Sequence, residues 1–288
     1  MFFQSIPSSS TEIVSNTPLE AKSLRYIFFE NKNGGMFSCG SVPDCISIAV
    51  NNTVICRNMI MLPFCTETLD RRHYIDWRKV ALRVGMDVNN SQVKISGVRD
   101  NDVNIVFVYD TKTMAESDNE ADRNYSGVTF METKLLRLRS ENPTIVNPAP
   151  QKLQPILAPP QQEIGVQFDK SPLGFFIFPT YSRETDGKLF SFPTTYIPSL
   201  LQSNILVDVY GADTEIFMPK MDVLPLCATN TIAWKNCVWF FSEETKRNLF
   251  LKLYYTDRFN RNAYSTIMID GNAVNTIDLA FTFLYKKI

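Results

Sequence analysis

The side chains that could do chemistry in this chain are few and scattered. The single histidine, His73, stands among charged residues, a context typical of a solvated loop. Histidine-dependent nucleophilic or metal mechanisms usually need partners that one histidine cannot supply. The sequence also lacks the motifs of phosphate-binding loops, dinucleotide-binding folds, nucleophile elbows and zinc peptidases. It therefore predicts no catalytic residue.

The acidic and sulfur side chains do not have the spacing of metal ligands. Asp100, Asp102 and Asp110 would hold a divalent cation if they converged, but the first two fit an ordinary polar turn between apolar segments. No Cys-x-x-Cys pair is present, so the cysteines are interpreted as free, mostly buried thiols. The six of them are Cys39, Cys45, Cys56, Cys65, Cys227 and Cys237. We expect neither a metal nor a cofactor.

An acidic run over residues 114–122 is the candidate interaction loop. The connection that contains it, residues 109–124, is longer than its counterpart in the second half, residues 255–262. Polar loops on a rigid β scaffold are common recognition sites, and acidic loops attract basic partners. One interpretation is a solvated connection; the other is a protein-binding loop whose deletion leaves the fold intact. Its carboxylates are Glu116, Asp118, Glu120 and Asp122.

Aromatic and basic residues lie close together near the end of the chain. Tyr254, Tyr255 and Phe259 alternate with Arg258 and Arg261, a mixture that can stack single-stranded bases. However, the formal net charge is -1, whereas a binder of many phosphates needs a strongly basic face. Strand aromatics in a core explain most of the group, so no nucleic-acid partner is expected.

The strongest pattern is a repeat. Leu62-Pro63-Phe64-Cys65 returns as Leu224-Pro225-Leu226-Cys227, and Trp77 and Trp234 follow the two copies. Together these matches predict a tandem duplication. Weaker matches pair residues 26–28 with 176–178, 53–55 with 214–216, 106–110 with 251–255, and 124–128 with 262–266.

The periodicity of the chain is that of an all-β protein. Residues 79–87 alternate between apolar and polar, and residues 103–109 are apolar almost throughout. Residues 248–255 and 277–285 are also predicted as strands, and no long helical pattern separates the strands. A proline-rich stretch over residues 142–162 separates the halves. We predict two tandem antiparallel β-sandwich or barrel domains from an internal duplication. The predicted parts are a flexible arm (1–19), a first sandwich (20–141), a linker (142–164) and a second sandwich (165–288).

The order of motifs in each half resembles the deoxyuridine triphosphatase family. Residues 35–38 and 187–191 match its Gly-containing segment, and Leu62-Pro63 and Leu224-Pro225 match the end of its next strand. The resemblance implies a tandem, non-catalytic relative of that fold, of a kind found in large DNA viruses. The family's early Asp is replaced by Met36 and Lys188, and its catalytic segment and Gly-rich C-terminal arm are absent, so no catalytic residue carries over. A jelly-roll virion protein fits the same strand pattern, and this alternative stays open.

These observations favour a non-enzymatic protein for assembly or partner binding, most plausibly a viral structural or host-interaction protein. Expected partners are copies of itself or other virion or host proteins. The N-terminus has no secretion signal and no segment is apolar enough to span a bilayer, so we expect a virion or host cytoplasmic or nuclear location, not a secreted one. The alternatives are a divergent deoxyuridine-triphosphatase-like nucleotide-binding enzyme and a single-strand nucleic-acid binder.

Overall fold

The computed structural model is built almost entirely from antiparallel β-strands, as the sequence predicts. It describes residues 1–7, 12–31, 38–41, 46–66, 76–97, 103–125, 128–139, 161–167, 172–182, 188–191, 205–211, 216–222, 224–229, 232–241, 248–255, 267–269, 272–274 and 276–286. Two short α-helices, α1 (Trp77–Val80) and α2 (Glu120–Arg123), lie among the strands of this part, together with 3-10 helices at Leu62–Phe64, Leu224–Leu226 and Trp234–Asn236.

The strands of the first half are β1 (Phe2–Pro7), β2 (Glu12–Asn16), β3 (Ser23–Asn31), β4 (Ser38–Ser41), β5 (Ile46–Val50), β6 (Thr53–Met59), β7 (Leu82–Asp87), β8 (Gln92–Ser96) and β9 (Val103–Asp110). Those that follow are β10 (Val128–Arg139), β11 (Gln161–Gln167), β12 (Pro172–Ser182), β13 (Lys188–Ser191), β14 (Ile205–Gly211), β15 (Ile216–Asp222), β16 (Trp239–Phe240), β17 (Asn248–Tyr255), β18 (Ile267–Ile269), β19 (Asn272–Val274) and β20 (Thr276–Lys286).

Strands β1 to β9, without β4, form a jelly roll. One sheet has the order β1-β9-β3-β7, and the strands opposite have the order β2-β8-β5-β6. All neighbours are antiparallel. The first strand thus pairs with the last, the second with the last but one, and so on inward, as in a long hairpin rolled into two sheets. That order is the jelly-roll arrangement.

The same order recurs in the second half. Strands β10, β20, β12 and β16 are neighbours in one sheet, and β11, β17, β14 and β15 in another, again all antiparallel. The two sets of eight strands therefore have identical pairing schemes. Descent of the two sets from one duplicated ancestor stays a prediction.

The two sandwiches are joined edge to edge. Strand β6, at the edge of the first sandwich, pairs in parallel with β10, the first strand of the second. A smaller contact pairs β4 with β13. One continuous sheet therefore runs through both sandwiches, in the order β2-β8-β5-β6-β10-β20-β12-β13-β4.

Strand pairing differs from the segmentation predicted by sequence. Residues 1–19, predicted as a flexible arm, supply β1 and β2, which pair with β9 and β8 along their lengths. Strand β10, predicted within the first sandwich, pairs with β20 of the second. The predicted linker overlaps β11 at residues 161–164, and its remainder lies outside the described residues. The proline-rich segment therefore connects the first two strands of the second sandwich.

Two local turns explain the repeated Leu-Pro motif. In each copy the motif forms a 3-10 helix. Pro63 lies at the start of the first of these helices, where a backbone N–H would have no partner within the helix, so the lack of an N–H costs no hydrogen bond. The following cysteine bridges in parallel to the third strand of its sandwich: Cys65 to Phe29, and Cys227 to Ile177. These matches are confirmed as equivalent places in the two pairing schemes.

Two weaker matches are wrong. Residues 26–28 correspond to residues 174–176, not to 176–178, because Phe29 and Ile177 bridge to the matching cysteines. Residues 106–110 lie in β9, the eighth strand of the first sandwich, whereas residues 251–255 lie in β17, the seventh strand of the second. The counterpart of β9 is β20, because Phe107 pairs with Ile27 just as Phe283 pairs with Phe175. Short runs of apolar and aromatic residues are alike in all buried strands, so local similarity selected the wrong partner.

The strand predicted over residues 79–87 begins as a helix instead. The Asp76 side chain accepts a hydrogen bond from the Arg78 N–H and caps α1, so the chain reaches β7 only at Leu82. The other clear predictions are confirmed: residues 103–109, 248–255 and 277–285 all lie in strands. Leu279, Phe281 and Tyr285 are buried on one face of β20.

Candidate interaction surfaces

The acidic loop is organised around a buried arginine, Arg25. The pairing of β3 with both neighbours shifts register between Leu24 and Tyr26, which places Arg25 in a bulge. Only 2% of this residue is exposed. Its guanidinium donates to the Met114 sulfur at 2.9 Å and to the main-chain oxygens of Lys112 at 3.4 Å and Thr113 at 3.1 Å. The loop therefore folds over a fixed positive charge, because an arginine does not deprotonate.

Two carboxylates balance that charge. Asp110, at the end of β9, and Asp122, in α2, each place an oxygen 3.7 Å from the Arg25 guanidinium. Asp122 also pairs with Arg83 and accepts a hydrogen bond from the Ser117 hydroxyl. A buried charge is tolerated when it is paired and hydrogen-bonded, so Asp122 has a structural task in this loop.

A second layer fixes the loop against β7. The Arg83 guanidinium lies 3.7 Å from the centre of the Tyr125 ring, and the Tyr125 hydroxyl donates to the Arg83 carbonyl oxygen at 3.3 Å. Gly85 has φ of +60°, and a Cβ there would lie 2.6 Å from the ring carbon Cδ1 of Tyr125. The Met114 N–H donates to an Asp87 carboxylate oxygen at 2.6 Å.

The remaining acidic residues lie at the surface. Glu116 accepts hydrogen bonds from Thr113 and pairs with Lys22 at 3.6 Å; the Thr113 bonds and then Lys22 lower the pKa of its carboxyl. Asp118 pairs with Lys112, which lowers its pKa by hydrogen bonding and charge. Glu120 is exposed in the first turn of α2. Three of the four candidate carboxylates are thus paired within the chain, and the loop is a folded cap with little uncompensated negative charge.

Sequence reasoning did not single out Arg25. Its signal was present, because it is a charged residue between Leu24 and the aromatic and aliphatic residues 26–29. A buried charge implies a nearby partner, and the acidic run is the nearest concentration of negative charge in the first half. Of the other residues considered, Asp110 pairs with Arg25, while His73, Asp100 and Asp102 lie outside the described residues.

The described part of the chain shows no group of three or more His, Cys, Asp or Glu residues that could hold a metal ion. Four of its cysteine thiols are free and buried: Cys56, Cys65, Cys227 and Cys237. Burial raises the pKa of Cys56 to about 12, against a weaker opposing hydrogen bond to the main chain of Ile48. Burial also raises the pKa of Cys237. Both thiols are protonated at neutral pH and poor nucleophiles.

A second surface is the joint between the two sandwiches. The Trp234 ring lies 5.3 Å from that of Phe176 and 5.5 Å from that of Phe64. Its Nε1–H donates to the Val80 carbonyl oxygen at 2.8 Å, and Lys235 Nζ donates to the Arg78 carbonyl oxygen at 3.0 Å. One hydrophobic core includes residues of both sandwiches, so the joint is packed like a domain interior.

One buried hydrogen bond, from the Ile60 N–H to the Thr133 hydroxyl, crosses this joint. The Thr133 and Thr282 hydroxyls lie 3.0 Å apart. Both threonines are buried, so these bonds satisfy groups that have no access to water. Partial desolvation, and secondarily the charge of Arg83, lower the pKa of Lys235 at the rim.

An aromatic cluster on the first sandwich lies at a place similar to that of Trp234 and Phe176 on the second. Trp77 stacks on Phe28 at 5.4 Å, with Tyr26 and Phe3 set edge-on at 5.5 and 5.8 Å. The cluster occupies the outward face of the β1-β9-β3-β7 sheet, whose inward face lines the core. Phe3 is 55% exposed.

No helix in the described part is long and apolar enough to cross a membrane. No protein-family model matches the chain, and no curated protein matches it. Among solved structures it is similar to the major capsid protein P2 of bacteriophage PM2, with 7% identity and a TM-score of 0.39, over 100% of this chain and 98% of that one.

Proposed function

We propose that this chain is a non-enzymatic structural protein, two tandem jelly rolls from an internal duplication, that assembles with copies of itself in a virion. The observation that carries the proposal is the joint, in which β6 of the first sandwich pairs with the edge of the second. At the same joint, Phe64 and the Val80 carbonyl group of the first sandwich cover Trp234 on the outward face of the second. A shell built from such units would repeat this contact, in which one sandwich packs against the outer surface of another.

The fold supports this function without requiring it. Jelly rolls occur in viral capsid and lectin domains and in the cupins, so the chemistry of the residues has to discriminate. A metal-dependent cupin needs several ligands, and the chain has one histidine. The buried, protonated thiols described above do not supply a nucleophile.

We propose domain limits that follow strand pairing: residues 1–110 for the first jelly roll and 128–286 for the second, with the acidic loop between them. Glu116, Asp118, Glu120 and Asp122 stay a candidate contact site for a protein partner. Most carboxylates of the loop are paired with basic side chains of the chain itself. A partner would therefore recognise the shape of the loop and the exposed Glu120 rather than a strong negative potential.

The alternatives remain a deoxyuridine-triphosphatase-like nucleotide-binding enzyme and a single-strand nucleic-acid binder. A host-interaction protein in the cytoplasm or nucleus is the nearer variant of the first proposal. No described residue cluster favours any of them over assembly.

The test is the mass of the purified full chain in solution over a range of concentrations, with electron microscopy of the largest species. Regular particles or oligomers support the proposal. A protein that stays monomeric at the highest concentration, and whose melting temperature rises with deoxyuridine triphosphate and magnesium or with an oligonucleotide, contradicts it.

A further inference from the structure

The two jelly rolls can be compared residue by residue through their strand pairing. Tyr26 pairs with Arg83 in the first, as Gly174 pairs with Phe240 in the second. The bridges of the two matching cysteines give the same alignment. Cys65 bridges to Phe29 and Cys227 to Ile177, so Phe29 corresponds to Ile177. Phe28 therefore corresponds to Phe176, and Trp77 to Trp234, because each tryptophan lies five residues before the matched positions Leu82 and Trp239.

Corresponding residues have the same contacts. Trp77 stacks on Phe28 with 5.4 Å between ring centroids and 20° between planes; Trp234 stacks on Phe176 at 5.3 Å and 27°. Both tryptophans begin a helical turn that precedes the sixth strand of the roll. The same Trp–Phe platform is therefore built on the outward face of both sheets, although Gly174 has no ring at the position of Tyr26.

The platforms differ in what covers them. In the second jelly roll, Trp234 and Phe176 are buried under Phe64 and the carbonyl group of Val80 of the first. In the first jelly roll, Trp77 is only partly buried. Phe3, which pairs with Val108, corresponds to Met131, which pairs with Leu284. Met131 is fully buried, whereas Phe3 is 55% exposed.

The covering surface also has a counterpart. In the first jelly roll, the elements that cover Trp234 are the 3-10 helix Leu62–Phe64 and α1. Their counterparts in the second jelly roll are the 3-10 helices Leu224–Leu226 and Trp234–Asn236. Beside them lie two exposed apolar side chains, Ile232 and Phe240. In the part of the chain that the structure describes, the platform of the first jelly roll is thus left partly exposed. The apolar side chains beside the covering elements of the second jelly roll are exposed as well.

We infer that a second copy of this chain docks the side that carries Ile232 and Phe240 onto the platform formed by Phe3, Tyr26 and Trp77, repeating between chains the joint that exists within one chain. This inference rests on the proposed assembly function and names its contact. Phe240 corresponds to Arg83, which lies near Lys235 in the joint. Between chains, Phe240 would accordingly lie near Arg78, the counterpart of Lys235, where a ring and a cation attract.

The contact is head-to-tail, because the two surfaces differ. Such an interface leaves one platform and one cover free at the ends of a dimer, so growth continues until a ring closes or a filament forms. Side chains are expected to dominate it. The edge strand β15 has Pro219 at the position of Arg57 in β6, and proline lacks the N–H that a continued strand ladder needs.

The test uses two full-length variants, Phe3→Glu and Phe240→Glu, each with a charge on one of the two surfaces. Mass photometry and sedimentation velocity give the species present, and circular dichroism checks the fold. Val14→Glu is the matched control, because Val14 is 52% exposed on a different strand. We expect both variants to need roughly tenfold or more higher concentration to assemble, and the control to behave as the wild type.

Mixing the two variants gives the sharper result. Each retains one intact surface, so an equimolar mixture should form a one-to-one dimer that grows no further. If the wild type assembles but both variants assemble equally well, or the mixture stays monomeric, this inference is wrong and the assembly function stands. If the wild type itself never assembles, the proposed function fails with it.

Discussion

The charge of Arg25 makes Asp122→Asn the most informative single substitution. The change keeps the size of the side chain but removes one of the two carboxylates within 3.7 Å of the buried guanidinium. It also weakens the pair with Arg83. The sequence alone led us to expect that the whole acidic loop could be deleted without loss of folding; the contacts of Arg25 oppose that expectation.

The expected loss in the free energy of unfolding depends on the partners that Arg25 retains. Removing one partner of a buried pair typically costs about 3–5 kcal/mol. Arg25 keeps Asp110 and two main-chain oxygens, so the loss is closer to that of a hydrogen bond to a charged group, about 1.5–3 kcal/mol. For a chain of 288 residues that unfolds as one unit, a loss of about 2 kcal/mol lowers Tm by about 3 °C.

The assay is urea and thermal unfolding followed by circular dichroism, with amide exchange of the loop as a local readout. Asp118→Asn is the control on the same loop, because that side chain is 87% exposed and pairs with Lys112 at the surface. We expect no measurable change for the control. Equal, small effects of the two substitutions would refute the claim that the loop exists to neutralise Arg25.

A double variant isolates the cause. If the cost of Asp122→Asn arises from stranding a buried charge, then Arg25→Met should reduce that cost when the two substitutions are combined. Additive losses would instead assign the effect to Arg83 and the packing of α2.

Three further outcomes are expected. Gly174→Ala should destabilise the second jelly roll by about 1–3 kcal/mol, measured by urea unfolding, because a Cβ would collide with the Trp239 carbonyl oxygen. The Cys56 thiol, with its pKa raised to about 12, should react with a maleimide only after unfolding, as peptide mass spectrometry would show. Glu116 has a lowered pKa, so it stabilises the loop above its ordinary value of 4.5 and loses that effect as the pH falls through the folded value. The Thr113 amide NMR shift should move in that window, and Glu116→Gln should abolish the movement.

How far the sequence predicts this molecule depends on the range of the interactions involved. Leu62-Pro63 and Leu224-Pro225 were recognised because a 3-10 turn is a local structure with a local signature. Strands β17 and β20 were found because runs of aliphatic and aromatic residues favour strands. The places of β1 and β10 were missed, because their partners lie about a hundred residues away or farther and no local pattern identifies a partner.

The candidate sites show the same division. The acidic residues were visible in the sequence, but their pairing with Lys22, Lys112 and Arg83 depends on how the loop returns to β7. The platform at Trp77 was visible only as one member of a repeat. Its meaning came from comparing exposure at corresponding positions, which the sequence does not contain.

The position of β20 has a consequence for synthesis. This strand lies between β10 and β12 in the sheet that joins the sandwiches, yet a ribosome makes it after every other described strand. During translation, β10 can pair with β6, but the place beside it stays open until the last segment emerges. The nascent second half therefore exposes the unpaired backbone edges of β10 and β12 for most of its synthesis. Premature termination near residue 270 would accordingly leave a chain prone to aggregation rather than a slightly shortened protein.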